Sequence, residues 1–236
     1  MAASVQAVTE DVMLRTASHL HETTGCKNLV MAGGVALNCV GNGRILRESP
    51  FDNIWIQPAA GDAGGALGTA TFIWHQLLEK ERKPSGGDFQ QGSLLGPEFS
   101  DKEISSFLSE IGAEFQLCES DDELVEEVAS LIASENVIGW FQGRMEFGPR
   151  ALGNRSIIGD ARSQTMQSVM NLKVKFRESF RPFAPIVLKE HVHEYFEMRE
   201  NEDSPYMLLV APVRESIRSE LPDEYKTKFG IDKLNY

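Results

Sequence analysis

Twice in the first third of the chain, a short apolar run ends on small residues and a helical pattern begins at once. Residues 28–32 (NLVMA) run into Gly33 and Gly34, and residues 54–57 run into Pro58, Ala59, Ala60, Gly61 and Asp62. Around them, residues 3–23, 35–46 and 62–79 read as helices. Val5, Val8, Val12, Leu14 and Leu20 carry the period of the first, and Gly25 ends it. Helix and strand in alternation predict an α/β arrangement, in which ligands gather at the strand ends.

The pattern breaks over residues 81–97, rich in Gly, Pro, Ser and Gln, which read as a linker or long surface loop. Beyond it, helices are predicted over 101–111, 121–133 and 163–172, and strands over 114–117, 137–141, 183–188 and 207–210. A Gly- and Arg-rich loop is predicted over 143–154. The expected organisation is two domains, 1–80 and 98–236, the second of them incomplete, joined by the 81–97 linker.

The net charge is -12, from 35 acidic and 23 basic residues. This balance disfavours broad binding to nucleic acid, which needs a basic face to displace counterions. The acids concentrate near 119–127 and 197–203, so a local basic pocket remains open elsewhere. Three widely spaced cysteines, Cys26, Cys39 and Cys118, make neither a disulfide framework nor a metal knuckle, and a cytoplasmic setting is expected. The first residues lack the pattern of a signal peptide. No run of about 18 apolar residues occurs, so no membrane span is expected.

Four segments could carry chemistry. Gly33, Gly34, Val35 and Asn38 form a strand-to-helix turn where backbone N–H groups meet negative charge, and where the Asn38 amide reaches a ribose or phosphate. A plain tight turn is the equal alternative. Asp62 stands at the second such turn, either as an N-cap or as a metal-ligating carboxylate. Residues 143–156 place Arg144, Arg150, Asn154, Arg155 and Ser156 among glycines and apolar residues, a setting for phosphate or for a solvated basic loop. Lys175, Arg177 and Arg181 alternate with apolar residues and lead into Pro182. They read either as an electropositive patch suited to phosphates or as a basic edge that blocks aggregation. Arg150, Arg155, Lys175 and Arg177 are expected to converge on one anion site, and Asp62 to share a cleft mouth with Gly33 and Gly34. The five histidines, His19, His21, His75, His191 and His193, read as structural or exposed. No nucleophile elbow is present, and no general base stands out, so the catalytic residues are left unassigned.

GGVALNCVGNGRI, QPAAGDAGGALGTA and GRMEFGPRALGNRSI, in this order, resemble the carbamoyltransferases of the nodulation, cephalosporin and tobramycin type, with the likeness running to about Val213. The resemblance implies an actin-like (ASKHA, RNase H-like) part followed by part of a YrdC-like α/β domain with a twisted mixed sheet. It implies O-carbamoyl transfer from carbamoyl phosphate and ATP, through carbamoyl-adenylate, to a hydroxyl of a small-molecule acceptor. A homodimer is compatible with it.

By the same resemblance, Gly33, Gly34, Val35 and Asn38 would hold the nucleotide. Asp62 would ligate a divalent metal, iron or magnesium, in the intact enzyme. Arg144, Arg150, Asn154, Arg155, Ser156, Lys175, Arg177 and Arg181 would hold phosphate or carbamoyl phosphate. The family's histidine ligands lie in an HxxxH motif that this sequence lacks, so an internal piece of a longer enzyme is expected, with its isolated activity open. A threonylcarbamoyl-adenylate enzyme of tRNA modification and a non-catalytic nucleotide-binding partner are the competing expectations.

Overall fold

A computed structural model describes residues 1–84, 86–199, 202–229 and 233. Ser85 of the predicted linker, Glu200 and Asn201 of the acidic run, and residues 230–232 and 234–236 lie outside the described residues. The described chain is mixed α/β, with helices around two small sheets. It divides into two compact units that do not follow chain order. The first contains Met1–Gly96, Met145–Leu152 and Phe196–Pro212. The second contains Pro97–Arg144, Gly153–Tyr195 and Val213–Tyr236.

In the first unit, α1 (Ala2–Thr24) ends on Gly25 in the left-handed conformation. Strand β1 (Asn28–Met31) pairs in parallel with β2 (Asn53–Ile56), Asn28 opposite Asn53 and Met31 opposite Ile56. Between them runs α2 (Cys39–Glu48), and after β2 comes α3 (Asp62–Phe72), which widens into a π-turn over Ile73–Leu77. Met13 and Ala17 of α1 pack with Ile45 of α2 and Phe51, while Leu29, Met31 and Ile54 of the strands close over them. A second cluster gathers where the strands end: Ala36, Ile56 and Ala60 with Leu208.

The helix expected over 35–46 is two pieces. A 3₁₀ turn, Gly34–Leu37, stops at Asn38, whose side-chain oxygen accepts the Gly41 N–H and starts α2. The short amide of asparagine favours capping over helix interior, and the chain breaks there. The strand expected over 207–210 is also absent. Its carbonyls go to side chains, Leu208 O to Asn42 Nδ2 and Val210 O to Arg47 Nη1, rather than to a ladder.

The second unit holds α4 (Asp101–Glu110), opened by a reciprocal Ser100–Glu103 capping box, and α5 (Asp121–Ala133), capped by Ser120. Strand β3 (Ile138–Phe141) pairs antiparallel with β4 (Arg155–Ile158), which the sequence reading did not anticipate. Helix α6 (Met166–Val169) starts three residues later than expected and continues as a π-turn over Met170–Val174. Met166 and Met170 are buried, with their sulfur atoms against Gly159. The strands expected over 114–117 and 183–188 do not form. Pro182 and Pro185 remove ladder donors at the second, where Ile186 and Leu188 stay exposed. Short helices α7 (Val192–Tyr195) and α8 (Asp223–Thr227) complete the unit.

Candidate functional site

Parallel pairing sends both Gly-rich turns out of the same end of the first unit's sheet. There Gly33, at φ 95°, donates its N–H to Ala60 O at 2.8 Å, stitching the first turn to the second. That backbone conformation is open to glycine and strained for other residues. The excursion Met145–Leu152 belongs to this unit and folds onto both turns. Arg150 Nη2 donates to Leu37 O at 3.0 Å. Gly148, at φ 124°, approaches the second turn so closely that an added Cβ would meet the Ala59 Cβ at 3.2 Å. Phe147 N donates to Ser93 O at 2.6 Å, and Gly96 N donates to Met145 O at 2.9 Å. Three segments far apart in sequence thus share one end of one small sheet.

Arg150 is half-buried, and its Nε has no partner among the described residues although it is shielded from solvent. A shielded guanidinium donor with nothing to bind is costly unless an acceptor arrives. Glu146, only 7% exposed, is the other charged residue of the excursion that lies deep. Its Oε1 accepts the Leu152 N–H at 2.7 Å. The sequence reading passed over it. The signal available was a charged residue set between two apolar ones, Met145 and Phe147, in a Gly- and Arg-rich run.

Asn38 is committed within the protein. Besides capping α2, it exchanges two amide hydrogen bonds with Gln6, at 3.0 and 3.1 Å. Gln6 also donates to Glu10, and Arg44 bridges Glu10 and Glu48. The hydrogen bonds from Arg44 hold the Glu10 and Glu48 carboxyls below the usual carboxylate range. Gly34 and Val35 are exposed. Asp62 is exposed in the first turn of α3, with Gly61 as its N-cap residue. No group of three His, Cys, Asp or Glu side chains that could hold a metal gathers among the described residues. A lone exposed carboxylate is a poor fit for the implied ion.

A clasp closes over the same unit, with Tyr206 packed against the cluster at the strand ends. Asp88 takes the N–H groups of Gln90 and Gly92 and a very short hydrogen bond from the Tyr206 hydroxyl. Burial raises the Asp88 carboxyl, but these donors outweigh it and hold the group low. Burial, with the Asp88 contact, pushes Tyr206 up to about 12.

The remaining predicted bases lie in the second unit, so the expected four-residue convergence is not a property of either unit alone. Arg155 spreads its guanidinium over backbone carbonyls: Nη1 to Gln142 O and Asn154 O, Nη2 to Gly143 O and, at 3.4 Å, Pro97 O. The same group stacks on Phe141, its cross-strand partner, 3.4 Å from the ring centroid. Asn154 donates to Arg144 O, and the Ser156 hydroxyl accepts the Gly153 N–H. Arg144 faces Glu98 at 3.6 Å, with both side chains more than half exposed. Arg177 Nε donates to Asn171 Oδ1 at 2.6 Å and its guanidinium lies over Phe183, while Lys175 is exposed. Arg181 pairs with Glu178 in the open. No helix is long and apolar enough to cross a membrane among the described residues.

Residues 1–71 match the family described as Carbamoyltransferase N-terminus, and residues 129–227 match Carbamoyltransferase C-terminus. An uncharacterized protein of Synechocystis sp. is 58% identical over 237 residues, covering 100% of this chain and 38% of that protein. Nodulation protein NolNO of Sinorhizobium fredii is 43% identical over 220 residues, 93% of this chain and 32% of that protein. The 3'-hydroxymethylcephem-O-carbamoyltransferase of Streptomyces clavuligerus is 32% identical over 192 residues, 79% of this chain and 33% of that protein. The chain therefore spans about a third of the length of these relatives. With both halves matched in order and the three motif segments folded as described, the chain belongs to the carbamoyltransferase family.

Proposed function

We propose that this chain supplies the nucleotide-handling part of an O-carbamoyltransferase that uses carbamoyl phosphate and ATP. Water first cleaves carbamoyl phosphate to carbamate and phosphate, and a carbamate oxygen then attacks the α-phosphorus of ATP, expelling pyrophosphate. The acceptor hydroxyl then attacks the carbamoyl carbon, losing its proton and expelling AMP. In this reading the first unit is part of an actin-like fold and the second part of a YrdC-like fold. The acceptor is a small molecule, as the printed name of the Streptomyces clavuligerus relative suggests for that protein.

One observation carries the reading: Arg150 stands on the Gly33–Leu37 turn with its Nε shielded and unclaimed. A phosphate oxygen of the adenylate would complete it, and the backbone of Gly33 and Gly34 leaves room for close approach. The chain's part in catalysis is then positioning and charge neutralisation rather than proton transfer. In the second unit, exposed Lys175 is the base best disposed to meet a second phosphate. Arg155 and Arg177 give donors to protein acceptors instead.

Titration calorimetry with ATP tests the reading. Arg150→Ala should weaken binding by about ten- to a hundredfold, the usual loss for a charge-assisted hydrogen bond. Pyrophosphate exchange into ATP should require carbamoyl phosphate in the intact enzyme. Unchanged ATP affinity in Arg150→Ala would sink the proposal.

A further inference from the structure

We infer that Glu146 is a positioning residue for Arg150, closing the excursion into a loop that presents the guanidinium to its anion. The inference rests on the Arg150 turn being the anion site. Glu146 and Leu152 stand six positions apart, yet Oε1 accepts the Leu152 N–H at 2.7 Å, which closes a ring of chain around Phe147, Gly148, Pro149, Arg150 and Ala151. Within that ring, Gly148 rests against Ala59 and Phe147 N is fixed to Ser93 O. Three anchors thus define the path of the loop, and Arg150 reaches Leu37 O from it.

Only one of the three anchors is a side chain, and it is a charged one that is 7% exposed. A carboxylate is an expensive choice for a merely structural acceptor at a buried position. The physical gain is geometric. A charge-assisted bond to a backbone N–H is short and strong, so it fixes the loop more tightly than a neutral acceptor would. A site that waits for a phosphate benefits from this, because a donor held in place before binding loses less freedom on binding.

The charge also has an electrostatic consequence. A carboxylate in the same loop as Arg150 lowers the net positive potential of the empty site. The loop therefore carries less uncompensated charge before the anion arrives, while the shielded Nε still awaits its acceptor.

The test uses nitrogen-15 spectra of this chain in water, reading hydrogen exchange at the Leu152 amide and the Arg150 Nε–H. No ligand is needed for this readout. In the unchanged chain both protons should be protected. In Glu146→Ala both should exchange at least about tenfold faster, as expected for a closed loop that loses its charged acceptor. Glu146→Gln keeps an acceptor oxygen at the same reach but without the charge, and should recover only part of the protection, still clearly more than the aspartate variant. Glu146→Asp keeps the charge but falls short of the Leu152 N–H, and should behave like the alanine variant. The glutamine and aspartate pair decides the matter even if the alanine variant fails to fold.

ATP affinity, measured in parallel, should fall in Glu146→Asp but fall no further when Arg150→Ala is already present. Equal protection of the Arg150 Nε–H in the Gln and Asp variants would overturn the inference. Arg150→Ala with unchanged ATP affinity would instead overturn the anion-site reading, and would leave the exchange result standing on its own.

Discussion

Arg150 and Arg155 come from one short motif, and the two units treat them in opposite ways. Arg155, in the second unit, gives donors to four carbonyls and lies flat on Phe141. It has become part of the backbone architecture of the β3–β4 connection. Arg150, in the first unit, makes a single bond to Leu37 O and keeps a shielded Nε without a partner among the described residues. The buried asparagines repeat the contrast. Asn171 uses both ends of its amide, donating to Ser179 O and Arg181 O and accepting from Arg177 Nε. Asn42, equally inaccessible, donates to Ala36 O and Leu208 O but leaves Oδ1 unpaired. Among the described residues, the two buried side-chain polar atoms without a partner both lie in the first unit, near its paired turns. Unsatisfied buried groups cost stability, so they persist where something else depends on them.

The contrast breaks first if Arg155 is not structural. Arg155→Ala strips partners from several carbonyls and removes the ring stack, and should cost the second unit about 3 kcal/mol. Arg155→Lys should recover less than half of that, because a compact ammonium cannot fork across carbonyls on two sides. Urea unfolding followed by tryptophan fluorescence reads this locally. Trp140 lies in β3, while Trp55 and Trp74 lie in the first unit and can be replaced by Phe. A midpoint that does not move in Arg155→Ala would return this arginine to the list of anion ligands.

The asparagines give the next largest effect and sharpen the comparison. Asn171→Ala removes three hydrogen bonds from a fully buried position and should cost about 2–3 kcal/mol. Asn42→Ala removes two, but it also removes an oxygen that is buried without a partner, so the loss should be smaller, about 1–2 kcal/mol. Equal losses at the two sites would mean that the Asn42 oxygen is satisfied in solution.

Much of the first unit was legible in the sequence because its signals are local. The runs NLVM and NIWI, each closed by small residues, mark both strands and the end of the sheet where turns collect. In the second unit the capping pairs Ser100–Glu103 and Ser120–Glu123 mark the starts of α4 and α5 in the same local way. What the sequence hid was long-range. Residues 207–210 look like a strand because they are apolar, yet Asn42 and Arg47 take their carbonyls from more than a hundred and sixty positions away. No local pattern shows that Arg150 turns toward Leu37 while Arg155, five residues on, turns into its own hairpin. Composition gave both the same appearance, a base among glycines. Geometry alone separates a base that binds the protein from one left to bind something else. Asn38 was misleading for a related reason: an amide one turn into a predicted helix looks available, and it is consumed by Gly41 and Gln6.

The smallest expected effect concerns acid. Asp160 is 8% exposed and accepts a forked pair of bonds from Arg162, together with the Arg162 backbone N–H. The Arg162 side chain, foremost, and then that N–H bring the carboxyl down to about 2. A carboxyl whose folded value lies below its unfolded one binds fewer protons in the folded state. Its contribution is therefore complete above the ordinary aspartate range and is lost as pH falls through it toward about 2. In the first unit, Glu10 and Glu48 are held low by the same kind of partner, Arg44, so acid loosens both units by one mechanism. Thermal unfolding should show the difference between the unchanged chain and Asp160→Asn shrinking steadily as pH is lowered across that window. It should stay constant at higher pH. Arg162 is mostly solvent-exposed, so the whole effect is modest and should shrink further in high salt. A difference that grows as the solution becomes more acidic would show that Asp160 carries its proton in the folded protein, and that this pair plays no part in holding the second unit together.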